Sequence, residues 1–173
     1  TDSVESPATP AVTPKVEPAN PEAARLLKQA RTLLSQGKGP EGREALRKAL
    51  EIAPDYREAL ILLGDNAYEN RKYNRAKEAF DKVINLDERD ADSLLKYFKA
   101  CYYNGEGSQA ILRLAEINRA HPDEHRIKFA VAQAYFQLGD MVNAEVLCNE
   151  ILASNPGNYG ARDLLERVKK LNR

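Results

Sequence analysis

Residues 57–90 read REALILLGDNAYENRKYNRAKEAFDKVINLDERD, and two stretches of helical periodicity lie inside them. Leu60, Leu63, Gly64 and Ala67 recur at helical spacing in the first, and Ala76, Phe80, Val83 and Ile84 do so in the second, so each predicts a helix with one apolar stripe. A polar break too short for anything but a tight turn separates them, and two helices so joined lie antiparallel. One such hairpin cannot cover its own stripes. Its neighbours in sequence supply the cover, because the pattern recurs at a spacing of 34 residues, once before and twice after, without an insertion. Leu26, Leu60 and Leu94 share one block position, Gly42, Ala76, Ala110 and Ala144 a second, and Pro54, Pro122 and Pro156 a third. A fixed period with two helical stretches per block predicts stacked helix hairpins around a continuous core, an architecture that binds and rarely catalyses.

The blocks run 21–54, 55–88, 89–122 and 123–156. In the first, Pro21 and Glu22 open a helix that Gly37 and Gly39 stop, and Pro40 restarts the chain at a first-turn position, where its missing N–H costs nothing. Residues 157–173 give one more helix, with Leu164, Leu165, Val168 and Leu171 on one face and charge elsewhere, a solvating cap for the stack. Residues 1–20 hold Pro7, Pro10, Pro14 and Pro18 without periodicity and predict a disordered, extended tether. Small residues at Ala30, Gly64 and Ala132 sit where paired helices approach most closely. Phe98 holds that position in the third block, so the third hairpin is expected to be splayed or rotated.

The chain has 173 residues, 43% of them apolar, and 26 basic side chains balance 26 acidic ones. No charge run marks a polyanion binder, and no apolar run reaches the 18 or so residues of a spanning helix. The basic residues of the first block, including Arg25, Lys28, Arg31 and Arg47, alternate with Glu22, Glu41, Glu44 and Glu51 at ion-pair spacing, which predicts a solvated face rather than a nucleic-acid surface. Cys101 and Cys148 fall at core positions of different blocks and are expected to be buried free thiols. The run HPDEH, with His121 and His125, spans a turn and not one helical face, so both imidazoles are expected to be exposed turn residues and no metal ligand set is predicted. Phosphate loops, paired cysteine motifs and nucleophile elbows are missing, so neither an enzyme nor a cofactor is expected.

With Leu60, Leu63, Gly64, Tyr73, Ala76, Phe80 and Val83 at motif positions, the chain resembles the tetratricopeptide repeat family from residue 21 to residue 173. It departs from the family in having no tryptophan at the head of a block, Phe98 for the small residue and Glu88 for the block-ending proline. The resemblance implies an all-α fold, a right-handed superhelical α-solenoid of four helix hairpins plus a C-terminal capping helix. It also implies that the first helix of each hairpin lines a concave groove for a partner peptide or helix. Carried onto this sequence, the groove positions give one column of Leu27, Ile61, Leu95 and Phe129 and a second of Leu34, Tyr68, Tyr102 and Phe136. Arg31, Asp65, Lys99 and Gln133 form a polar column between them. Some of the aromatic residues also serve helix packing in the family.

Relatives that clamp the acidic tails of heat-shock chaperones use a set of cations, and the corresponding places here hold Leu27, Arg31, Leu62, Asp92 and Lys96. That set does not suit a carboxylate-rich tail. Apolar columns suit an amphipathic helix or an extended apolar strand of a protein partner. The expected function is therefore a non-enzymatic interaction scaffold. The alternatives are self-assembly, with one copy's groove taking another's tail or cap, and an accessory domain of a larger membrane-anchored or enzymatic protein. The chain begins with Thr and its one Met is Met141, so a natural start upstream is expected. The Pro-rich spacer resembles the reach segments of bacterial envelope proteins, and cytoplasmic linkers share its composition.

Overall fold

The computed structural model describes residues 20–171; the expected tether at 1–19 lies outside them. Nine helices follow one another among the described residues: α1 (Pro21–Ser35), α2 (Gly39–Ile52), α3 (Arg57–Glu69), α4 (Tyr73–Leu86), α5 (Ala91–Tyr103), α6 (Gly107–Ala120), α7 (His125–Leu138), α8 (Met141–Ser154) and α9 (Tyr159–Leu171). They form four antiparallel hairpins and a final helix, stacked as an α-solenoid. Asn20, read as the end of the tether, instead caps α1, and its side chain accepts from the amides of Glu22 and Ala23. Asp90, Asp140 and Asn158 do the same for α5, α8 and α9, satisfying amides that have no partner within the first turn.

The hairpin turns are four copies of one device. Each first helix ends with an amide reaching back five residues to a carbonyl: Lys38 to Leu33, Lys72 to Ala67, Glu106 to Cys101 and Asp140 to Tyr135, at 2.8 to 2.9 Å. This closure places the preceding residue in the left-handed region. Gly37, Gly105 and Gly139 stand there at φ +75°, +82° and +83°, and Arg71 holds the same place at +55°.

Small residues set the approach within the hairpins. A Cβ on Gly64 would lie 2.7 Å from the Phe80 ring, and one on Gly42 would lie 2.7 Å from the Leu34 side chain. Phe98 is fully buried and joins a cluster with Leu94, Cys101, Leu114, Ile127 and Val131. The ring takes the room that small residues leave elsewhere, so α5 and α6 are the most loosely paired of the four hairpins and α5 leans on α7. The irregularity expected at Phe98 is thus observed. At the other end of the array, the joint between the first and second hairpins is the thinnest, carried by a narrow contact of α2 with α3.

Candidate protein-binding face

Consecutive first helices α3, α5 and α7 are tied side by side by ion pairs. The Lys96 ammonium lies 2.7 Å from the Asp65 carboxylate, and the Arg126 guanidinium lies 3.2 Å from that of Asp92. These pairs run across the face that the sequence columns mark out. Lys96 also lies 5.7 Å from the centre of the Phe80 ring. The positive charge that a clamp for acidic tails would require is therefore already matched by Asp65.

The column residues divide into three groups. Leu27 is 5% exposed and packs with Ala30, Ala45, Leu46 and Ala59 inside the core of the first hairpin. Phe129 and Phe136 are half-buried against α9, beside Ala132, Cys148, Leu164 and Leu165. Gly160 passes so close that a Cβ there would lie 2.9 Å from the Phe129 ring, and the Arg167 guanidinium stands 4.7 Å from the centre of the Phe136 ring. The final helix thus covers the C-terminal end of both columns. Ile61, Asp65, Tyr68, Leu95, Lys99 and Gln133 are half-buried, while Arg31 and Tyr102 are exposed.

A cluster of tyrosines forms where α3, α4 and α5 meet. Tyr68 meets Tyr73 edge to face at 5.5 Å between ring centres, and meets Tyr103 at 6.0 Å. Tyr73 and Tyr103 stack at 5.1 Å, Tyr102 stands edge-on to Tyr103 at 5.5 Å, and Phe98 anchors Tyr102 from below at 6.2 Å. Such pairs contribute about 0.5–1.5 kcal/mol each beyond their burial alone. Burial, and then the neighbouring Tyr103 and Tyr73 hydroxyls, push the Tyr68 phenol above its ordinary value, so it remains a hydrogen-bond donor at neutral pH. Tyr102 is 39% and Tyr103 53% exposed, leaving two fixed rings with free surface. Sequence columns missed Tyr103 because Glu69 and Gln137 hold its position in neighbouring blocks. Its adjacency to Tyr102 was the only available signal.

The histidines correct the expectation of exposed turn residues. Both are half-buried: His121 Nε2 lies 2.7 Å from the Glu88 carboxylate, and His125 opens α7 with its Nδ1 buried. Glu88, which stands where other blocks end in proline, thereby ties two inter-hairpin turns together. Among the described residues no group of three or more His, Cys, Asp or Glu could hold a metal ion. Cys101 and Cys148 are free and buried, and burial pushes the Cys148 thiol up to about 11. No described helix is long and apolar enough to cross a membrane. On the first block, Arg25 pairs with Glu22, and Arg47 pairs with Glu44 and Glu51, as the interleaved charges predict.

The family model described as tetratricopeptide repeat matches residues 33–94 and 67–134. Comparison with curated protein sequences gave no match. Among solved structures, a tetratricopeptide repeat protein from Parabacteroides merdae is 18% identical with a TM-score of 0.65, over 87% of this chain and 61% of that one. A thermophilic tetratricopeptide repeat protein of Thermus thermophilus is 19% identical with a TM-score of 0.58, over 84% of this chain and 80% of that one. A mutant O-GlcNAc transferase of Thermobaculum terrenum is 24% identical with a TM-score of 0.54, over 77% of this chain and only 26% of that one. These identities show likeness of fold alone. With the family model spanning most of the hairpins and the helices stacked in the same way, the chain belongs to the tetratricopeptide repeat family, whose arrays are protein-interaction scaffolds and are generally non-catalytic.

Proposed function

We propose that the chain holds an apolar segment of a protein partner, an amphipathic helix or extended strand, against the face formed by α3, α5 and α7. The observation that carries this reading is the exposure of Tyr102 and Tyr103 on a cluster of mutually packed aromatic rings. Clustered tyrosines with fixed rotamers give contact area at low entropic cost, and their hydroxyls supply hydrogen bonds at the rim. Ile61 and Leu95 extend the apolar surface, and Lys99 and Gln133 supply polar contacts beside it. Leu27, Phe129 and Phe136 support the face from within or beneath α9 and contribute little free surface.

A photo-crosslinking amino acid placed at position 103 tests this reading, with the same group at exposed Leu112 on α6 as the comparison. A partner joined from position 103 and not from position 112 supports it. Equal yields from both positions, or yield from position 112 alone, reject it.

A further inference from the structure

The thin joint between the first two hairpins leaves an opening. Helices α2, α3 and α4 enclose a cleft of about 300 Å³, at the lower end of the range for ligand pockets. Its floor is apolar, formed by Leu50, Leu60, Leu63, Ala67 and Ala79. Ile61, Asp65 and Tyr68 are not among its lining residues, so it is separate from the tyrosine face.

The block register explains why a void lies here. One block later, at the joint of α4 with α6, Tyr97 replaces Leu63 and Arg113 replaces Ala79. There the Arg113 guanidinium lies 5.0 Å from the centre of the Tyr97 ring and pairs with Asp81. Two long side chains close that joint, whereas Leu63 and Ala79 leave this one open.

The rim differs as sharply as the floor. Arg43, Lys72, Arg75 and Lys82 surround the cleft, with Glu78 as the one acidic lining residue. At the equivalent places one block later stand Lys77, Glu106, Gln109 and Glu116, of which Lys77 and Glu106 pair at 2.7 Å. Arg43 and Lys72 therefore repeat that pair with its carboxylate exchanged for a second cation. None of the four rim cations has an ion-pair partner among the described residues, although the next two joints between hairpins carry such pairs. An apolar hollow ringed by unmatched cations is complementary to an apolar group flanked by carboxylates. The cations are spread over α2, the turn at Lys72 and α4, which matches several carboxylates around one anchor better than the single head of a fatty acid.

We infer that this cleft is a second binding site, taking an acidic peptide segment of a partner protein through one large apolar side chain. The site is independent of the tyrosine face and stands or falls separately from it.

The probe is a fluorescein-labelled peptide with a central Phe-Leu pair between two acidic residues on each side, titrated by anisotropy against the full chain. Control peptides carry Ser for the apolar pair or Lys for the acidic residues. Lys72→Glu gives Arg43 the partner that Lys77 already has, and Ala79→Met fills the hollow with a good helix former; circular dichroism checks that both keep their helix content. Each substitution is expected to weaken the acidic peptide about tenfold, both controls to bind at least as weakly, and Tyr102→Ala with Tyr103→Ala to leave the affinity unchanged. No measurable binding of the acidic peptide, or loss with Lys72→Glu but not with Ala79→Met, overturns the proposal, because the cations then act only as a surface field. Binding lost in the tyrosine variant instead places the peptide on the other face and overturns it equally. Tighter peptide binding after deletion of residues 1–19, which spares the Asn20 cap of α1, makes the chain's own tail the occupant and overturns the assignment to a partner, as does saturable binding of decanoate that displaces the peptide.

Discussion

Arg57, the first residue of α3, sets its guanidinium Nη2 2.5 Å from Oδ2 of Asp90, the residue that caps α5. The same Asp90 carboxylate accepts from the Ser93 hydroxyl at 2.6 Å and from the Ser93 amide. One side chain therefore closes a helix end and ties it to the helix of the previous repeat. Burial by itself raises the Asp90 carboxyl, but the Ser93 hydroxyl and amide and the Arg57 charge outweigh it, so it titrates below its ordinary value. A depressed carboxyl contributes stability that is complete above its unfolded value of about 3.9 and fades as pH falls through the folded one. Asp90→Asn should cost about 1–3 kcal/mol at pH 7. The gap between the variant and the natural chain should shrink below about pH 4, as urea unfolding at both pH values will show.

Arg71 occupies a backbone region that the other three hairpin turns assign to glycine. An L-residue there carries about 1–2 kcal/mol of strain, partly offset by its smaller entropy loss on folding. Arg71→Gly should raise stability by about 0.5–1 kcal/mol, measured as an upward shift of the thermal midpoint. A lowered midpoint would mean that the Arg71 side chain holds the turn by some other contact.

Gly64 and Phe98 share a block position and demand opposite things. A methyl group at Gly64 would press on the Phe80 ring at 2.7 Å, so Gly64→Ala should cost about 1–3 kcal/mol. Phe98→Ala restores the small residue usual at that position, yet it empties a fully buried site and should cost about 3–5 kcal/mol. Denaturant midpoints of the two variants decide the matter, and a stabilised Phe98→Ala would show that the ring is strained in place.

The hairpins were legible because the block length never varies, so Leu60, Ala76 and Phe80 each predicted their counterparts. The loose third hairpin was legible for the same reason, from Phe98 alone. What the columns concealed was contact between blocks. Asp65 and Lys96 are 31 positions apart and fall in different columns, so their pairing emerges only once the helices are stacked. Phe129 and Phe136 look like groove residues by register, but α9 seats itself on them, a contact that shows only once the helices are stacked. The cleft at α2 and α4 arises from volume that Leu63 and Ala79 lack, which shows only when they are set beside Tyr97 and Arg113 in three dimensions.

The central claim is that Tyr102 and Tyr103 form the contact surface for a protein partner, and comparative affinity capture tests it most directly. The natural chain and its Tyr102→Ala, Tyr103→Ala variant serve as matched baits in one native lysate, with quantitative mass spectrometry of both eluates and circular dichroism of both baits. Equal helix content with a partner retained about tenfold better by the natural chain is the predicted result. Identical captured sets from two equally helical baits would contradict it.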